Sequence, residues 1–132
     1  MTTVVDSPIT QDAAWFVGED KVLTFTVYVE GTTQAQIDAG TATKQDLTGW
    51  TIEWGLRKSR YAPTTVLDKV SPAVAILTQA GATLGQFTVT LARADTQDLK
   101  AGTYYHAAAR TNTGAYDIIA EGPAVLRKAA LH

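Results

Sequence analysis

DLKAGTYYHAAAR, Asp98–Arg110, joins a turn-forming Gly102 to two adjacent tyrosines, a histidine and three alanines. Taken at period 2, the stretch is a strand from Thr103 to Arg110. Tyr105, Ala107 and Ala109 then share one face, and Tyr104, His106, Ala108 and Arg110 share the other. The first set is read as the inward one. Small inward alanines let a second layer carrying bulky Trp50 and Trp54 approach closely, which is how two sheets build a common core.

The same alternation recurs on both sides of that stretch. KVLTFTVYVE, Lys21–Glu30, places Leu23, Phe25, Val27 and Val29 on one face against Val22, Thr24, Thr26 and Tyr28. DLTGWTIEWGLRK, Asp46–Lys58, turns at Thr48-Gly49 and runs on as a strand with Trp50, Ile52, Trp54 and Leu56 together. TTVLDKV and AVAILTQ are two short strands divided by Ser71-Pro72, and QFTVTLA sets Phe87, Val89 and Leu91 inward. ARADTQDL is a helical turn capped by Asp95 or Thr96. Thr111–Gly114 is a hairpin connection, and AYDIIA with GPAVLRKA reads as one strand broken by a bulge at Glu121-Gly122.

Seven to eight short strands with no alternating helices describe an all-β, antiparallel two-sheet sandwich, with an eight-stranded barrel as the other architecture. One short helical turn falls near Asp95–Leu99. The expected organisation is an extended arm over residues 1–17, a sandwich over 18–128 and a tail over 129–132. GTTQAQIDAGTATKQD, Gly31–Asp46, is a long polar connection with one helical turn around Gln34–Asp38; connections of that length tend to be functional or disordered, which makes it the first candidate for a contact surface.

The chain has 132 residues, enough for one domain and one core, and 45% of them are apolar. Charged residues make up 18%, below the roughly 25% usual for soluble domains, and Thr, Ala, Gln and Gly take their place. Net charge is −2 and the basic residues are scattered, so no nucleic-acid footprint is visible. Arg57-Lys58-Ser59-Arg60 reads as a solvated loop. There is no cysteine, hence no thiolate metal site, and no apolar run long enough to span a bilayer. The N-terminus lacks the basic and apolar regions of a secretory signal.

Candidate chemistry is sparse. Trp50 and Trp54 share their face with Ile52 and Leu56, and with Phe25 and Phe87 they are assigned to the core. Trp15-Phe16 is expected to plug one end of the sandwich, while Tyr28 and Tyr61 are the aromatics expected at the surface. His106 has no second histidine or cysteine at ligand spacing and is read as a partly exposed polar side chain. DTQD is too sparse for a calcium loop, and no nucleophile elbow, P-loop or dinucleotide fingerprint occurs. The chain therefore reads as non-enzymatic, with no cofactor or metal.

GEDKVLTFTV, DLTGWTIEWGLRK and LARADTQDLKAGTYYHAAART together resemble small immunoglobulin-like domains of tailed-bacteriophage virions, such as the N-terminal domains of baseplate upper proteins. The resemblance covers roughly Gly18 to Arg127. It marks strand order and corners, so it carries over no chemical site. The closing stretch also resembles the tyrosine corner of fibronectin type III domains, with Leu99, Gly102, Thr103 and Tyr105 at the matching positions and Ala101 where that family has proline.

What the resemblance implies is a structural subunit of a virion, made in the host bacterial cytoplasm, on capsid, tail or baseplate. Its partners would be other virion proteins and copies of itself, with no nucleic acid and no membrane. A carbohydrate- or receptor-binding module is the alternative. Candidate partner contacts are Val4, Val5 and Ile9 on the arm, where an extended segment can add a strand to a neighbouring sheet. Gln34 and Ile37 on the long connection and Tyr104, His106 and Arg110 on the outward face complete the set.

Overall fold

A computed structural model describes residues 13–29, 32–111 and 117–128. Val4, Val5, Ile9 and the 129–132 tail lie outside the described residues, as do the arm residues before Ala13. Eight strands form among those described: β1 (Ala13–Phe16), β2 (Lys21–Thr26), β3 (Ile52–Arg57), β4 (Leu67–Lys69), β5 (Val74–Ile76), β6 (Gln86–Leu91), β7 (Gly102–Arg110) and β8 (Asp117–Arg127). Two short helices, α1 (Gln34–Ala39) and α2 (Arg93–Thr96), sit in connections.

The strands make a five-stranded sheet in the order β1-β8-β7-β3-β4 and a three-stranded sheet in the order β2-β6-β5. Neighbours pair antiparallel except β1 and β8, which run parallel. Two facing sheets with this division of strands are an immunoglobulin-like sandwich. The core comes from both inner faces: Leu23, Phe25, Phe87, Val89 and Leu91 from one sheet, Trp15, Ile52, Trp54, Leu56 and Leu126 from the other. Burying each such side chain contributes about 1.5–3 kcal/mol, so the alternation of β2, β3 and β6 dictates which way their sheets face. Trp54 is 1% exposed and Phe87 is fully buried, with Trp50 and Phe25 also in the core.

The face assignment on β7 is corrected. Tyr104, His106 and Ala108 point into the core, while Tyr105 and Ala107 are half-buried on the outer face. Register gives the reason: β7 pairs Leu56 with His106 and Trp54 with Ala108, and directly opposed residues share a face. Ala109 is buried as well, because the β7–β8 ladder steps from Ala108↔Ala120 to Ala109↔Ile118. Ile119 is thus the extra residue of a bulge, two positions before the expected Glu121-Gly122.

Ala13–Phe16 is a strand of the sandwich, and the ordered domain begins before Gly18. AAWF is too short for its alternation to register in sequence, yet Ala13 and Trp15 are buried and Ala14 and Phe16 are exposed. Four strands are shorter than their patterns: β2 ends at Thr26, β3 begins only at Ile52, and β4 and β5 keep three residues each. Before β3, Asp46 Oδ1 accepts from both Thr48 N–H (2.9 Å) and the Thr48 hydroxyl (2.6 Å). These bonds hold the Asp46 carboxyl below the usual carboxylate range. Gly49, at φ 81°, then completes the turn.

Candidate interaction face

The outer face of the five-stranded sheet is built by register. β3 contributes Glu53, Gly55 and Arg57, which lie opposite Ala109, Ala107 and Tyr105 of β7. Ala107 and Tyr105 lie in turn opposite Glu121 and Pro123 of β8. Tyr105 and Glu121 are therefore diagonal neighbours, and the Tyr105 hydroxyl donates to Glu121 Oε1 at 3.0 Å. Partial burial raises the Tyr105 pKa above the usual phenol value, and donation to the Glu121 carboxylate raises it further.

The connection after β3 folds back over this face. Arg57 Nη1 donates to the Ala62 carbonyl at 2.6 Å, and Ala62 N–H closes a turn onto the Ser59 carbonyl. That turn sets the Arg60 guanidinium 5.8 Å from the Tyr105 ring centre and 5.5 Å from that of Tyr61. Arg60 Nε also lies 3.6 Å from Glu121 Oε1. Tyr61 is 86% exposed. Beside the cluster, the small Gly55 and Ala107 leave a shallow depression of about 80 Å³, bounded by Glu53, Arg57, Thr65 and Asp68.

The Arg60–Glu121 pair is worth little to stability, since the Arg60 side chain is 55% exposed and such pairs contribute at most about 1 kcal/mol. What the cluster presents is an exposed tyrosine, a second, half-buried tyrosine, a guanidinium lying over both rings, and a carboxylate. Tyr and Arg are the side chains that dominate protein–protein contacts when a partner dries them. Arg60 lies over both rings, Tyr105 is half-buried and Tyr61 alone of the two is open to solvent; one open ring is not a stacking platform for a sugar chain. Among the described residues no three of His, Cys, Asp and Glu stand close enough to hold a metal.

The residues singled out in sequence are dispersed. Tyr104 (9% exposed) and His106 (0%) belong to the core and are withdrawn as partner contacts. Tyr104 takes the corner role assigned to Tyr105: its hydroxyl donates to the Lys100 carbonyl at 2.7 Å, while Leu99 packs half-buried against the core and Gly102 and Thr103 are exposed. His106 is an acceptor in the core, not a partly exposed side chain, with Trp54 Nε1 donating to its Nδ1 at 3.4 Å.

Arg110 lies at the opposite end of the strand, its guanidinium 4.3 Å from the Trp50 ring centre. Gln34 is exposed on α1 and bonds Asp38, whereas Ile37 is half-buried. Thr33 and Gln36 cap that helix reciprocally, and Gly40 ends it at φ 75°. At α2, Asp95 makes the cap by accepting from Ala92 N–H at 2.7 Å. Thr96 is buried and instead accepts from Gly18 N–H at 2.9 Å.

Arg60 and Glu121 were not singled out as contacts. They are 61 positions apart in sequence, and only the β3–β7–β8 register brings them together.

No protein-family model matches the chain, and no curated protein matches it. Among solved structures, the NK cell receptor Nkp44, a triggering partner in natural cytotoxicity, is similar over 92% of this chain and 100% of its own. Sequence identity is 13% and the TM-score 0.38, a likeness too slight to argue from. The fold rests on strand order and burial.

Proposed function

We propose that the protein is a non-enzymatic structural subunit of a tailed-bacteriophage virion, an immunoglobulin-like accessory domain that works through protein–protein contacts. The virion assignment is supported by the resemblance of the Gly18–Arg127 motifs to virion domains. The contact-making role is carried by one observation: Arg60, Tyr61, Tyr105 and Glu121 converge on the solvent side of a rigid five-stranded sheet. The sheet fixes Tyr105 and Glu121, and the Ser59–Ala62 turn sets Arg60 and Tyr61 over them, which lowers the entropic cost of binding. Other virion proteins and copies of the same chain are the partners this reading calls for.

The test is quantitative mass spectrometry of purified particles carrying either the natural chain or Arg60→Ala/Tyr61→Ala. A fixed, symmetry-related copy number that falls at least several-fold in the double variant is the expected result. A chain absent from particles overturns the virion assignment. Undiminished incorporation of the variant overturns the assignment of this face.

A further inference from the structure

We infer that the open side of the sandwich between β3 and β5 is a strand-addition site for an extended, uncharged peptide segment of a partner protein that carries a bulky aliphatic side chain. Among the described residues β5 is an edge strand, hydrogen-bonded to β6 alone. Thr90 N–H bonds the Ala73 carbonyl and Leu77 N–H bonds the Gln86 carbonyl, so the odd-numbered residues of this segment face β6. By the alternation of an antiparallel ladder, the main-chain groups of Val74 and Ile76 point away from β6. Val74 N–H is taken by the Val70 carbonyl at 3.1 Å. The Val74 carbonyl and both Ile76 groups are left facing outward, one donor and two acceptors in a row.

Beside this edge lies a cleft of about 300 Å³ whose apolar lining includes Trp50, Ile52, Pro72, Val74 and Ile76, with the hydroxyl residues Thr51 and Ser71 at its margin. It opens because β4 pairs with β3 only from Trp54 to Leu56 and stops short of Ile52. Among the described residues no charged side chain lines the cleft. Arg110, the nearby cation, is engaged on the Trp50 ring. A free strand edge supplies affinity through backbone hydrogen bonds and is indifferent to side chains, whereas an adjoining uncharged pocket selects one of them. The charge-free lining selects against an acidic or basic residue there, since a buried unpaired charge is strongly disfavoured. The other three edges differ: β4 carries Asp68 and Lys69, β1 presents Phe16 to solvent on the outer face, and β2 opens on Lys21.

The site lies apart from the Arg60 cluster and does not depend on the virion assignment. A titration can fail while particles contain the protein, and the reverse also holds. The experiment uses the ¹⁵N-labelled full chain and the synthetic peptide acetyl-Thr-Thr-Leu-Thr-Thr-amide. Saturable shifts at the amides of Val74–Ile76 and at the Trp50 indole N–H are expected. Replacing Leu by Asp, or N-methylating the peptide backbone around it, should each weaken binding at least tenfold. Absence of shifts at Val74–Ile76 at millimolar peptide overturns the proposal, as does equal binding of the N-methylated peptide. A dimer of the free chain that maps to β5 would assign the edge to a second copy and overturn the partner reading.

Discussion

His106 Nδ1 accepts a hydrogen bond from Trp54 Nε1 at 3.4 Å, with both rings closed off from solvent between the sheets. Phe25 packs on the same imidazole with ring centres 5.1 Å apart, and Phe25 in turn stacks on Phe87 at 5.3 Å. An acceptor at Nδ1 means that the imidazole is neutral with its proton on Nε2. Substituting His106→Phe keeps most of the packing volume but leaves the indole N–H unpaired in the core. The expected loss is about 1–3 kcal/mol, read from chemical denaturation. An unchanged midpoint would mean that the indole finds another acceptor.

The two adjacent tyrosines do different work. Tyr104 ties its strand to the Lys100 carbonyl from inside, whereas Tyr105 bonds Glu121 from outside. Tyr104→Phe should cost about 0.5–1.5 kcal/mol. Tyr105→Phe should stay within about 0.5 kcal/mol, the usual range for surface changes. Denaturant melts of the two single variants measure the order, and the reverse order would return the corner to Tyr105.

This difference shows what the sequence could convey. β2 and β6 were legible because Leu, Phe and Val alternate with Thr, a contrast that fixes which face is buried. On β7 both candidate faces hold a tyrosine and alanines, so period 2 identified the strand without its orientation. Orientation came from the partner strand, through Trp54↔Ala108 and Leu56↔His106. The interaction face was illegible for a related reason. Tyr61 reads as exposed by itself, but its neighbours Tyr105 and Glu121 reach it only through register and the turn at Ser59–Ala62.

Gly85 closes the approach of two connections. Its φ is 78°, and an added Cβ would meet the Val27 carbonyl oxygen at 2.9 Å and the Lys44 side chain at 3.0 Å. Its N–H donates to Gln79 Oε1, which also accepts from Leu47 N–H. Gly85→Ala combines left-handed backbone strain with a clash against main chain. A loss of about 1–3 kcal/mol is expected in thermal or denaturant unfolding. Full stability would show that the Val27 segment can withdraw at no cost.

Asp95 gives the domain an acid-sensitive tie. Partial burial opposes its ionisation, but the hydrogen bond and charge of Lys69, 2.8 Å away, and the Ala92 N–H outweigh that. The carboxyl is held below its ordinary value. A depressed folded-state value means stability that is fully present above the ordinary carboxylate value of about 4 and lost as pH falls through the folded value. Melting temperatures followed from pH 6 downward should therefore show Asp95→Asn less stable at neutral pH, with the gap closing in acid. Parallel curves would remove the tie from the account.

The neighbouring alanines of β7 separate the two faces most sharply. Ala108 is fully enclosed, directly opposite Trp54 and Ala120, in a region where both sheets have filled the available space. Ala107 sits half-buried on the outer face between Gly55 and Glu121, beside the shallow depression. Enlarging the first must displace packed rings, which costs about 1–3 kcal/mol. Enlarging the second meets solvent and flexible side chains, so Ala107→Leu should fall within about 0.5 kcal/mol of the natural chain. The pair also bears on function, because Ala107→Leu fills the depression beside Arg60 and Tyr61 without disturbing the core. A folded Ala107→Leu chain that no longer enters particles, next to an Ala108→Leu chain that is merely less stable, would tie partner binding to the outer face. Equal destabilisation by the two substitutions would contradict the orientation of β7 on which that face depends.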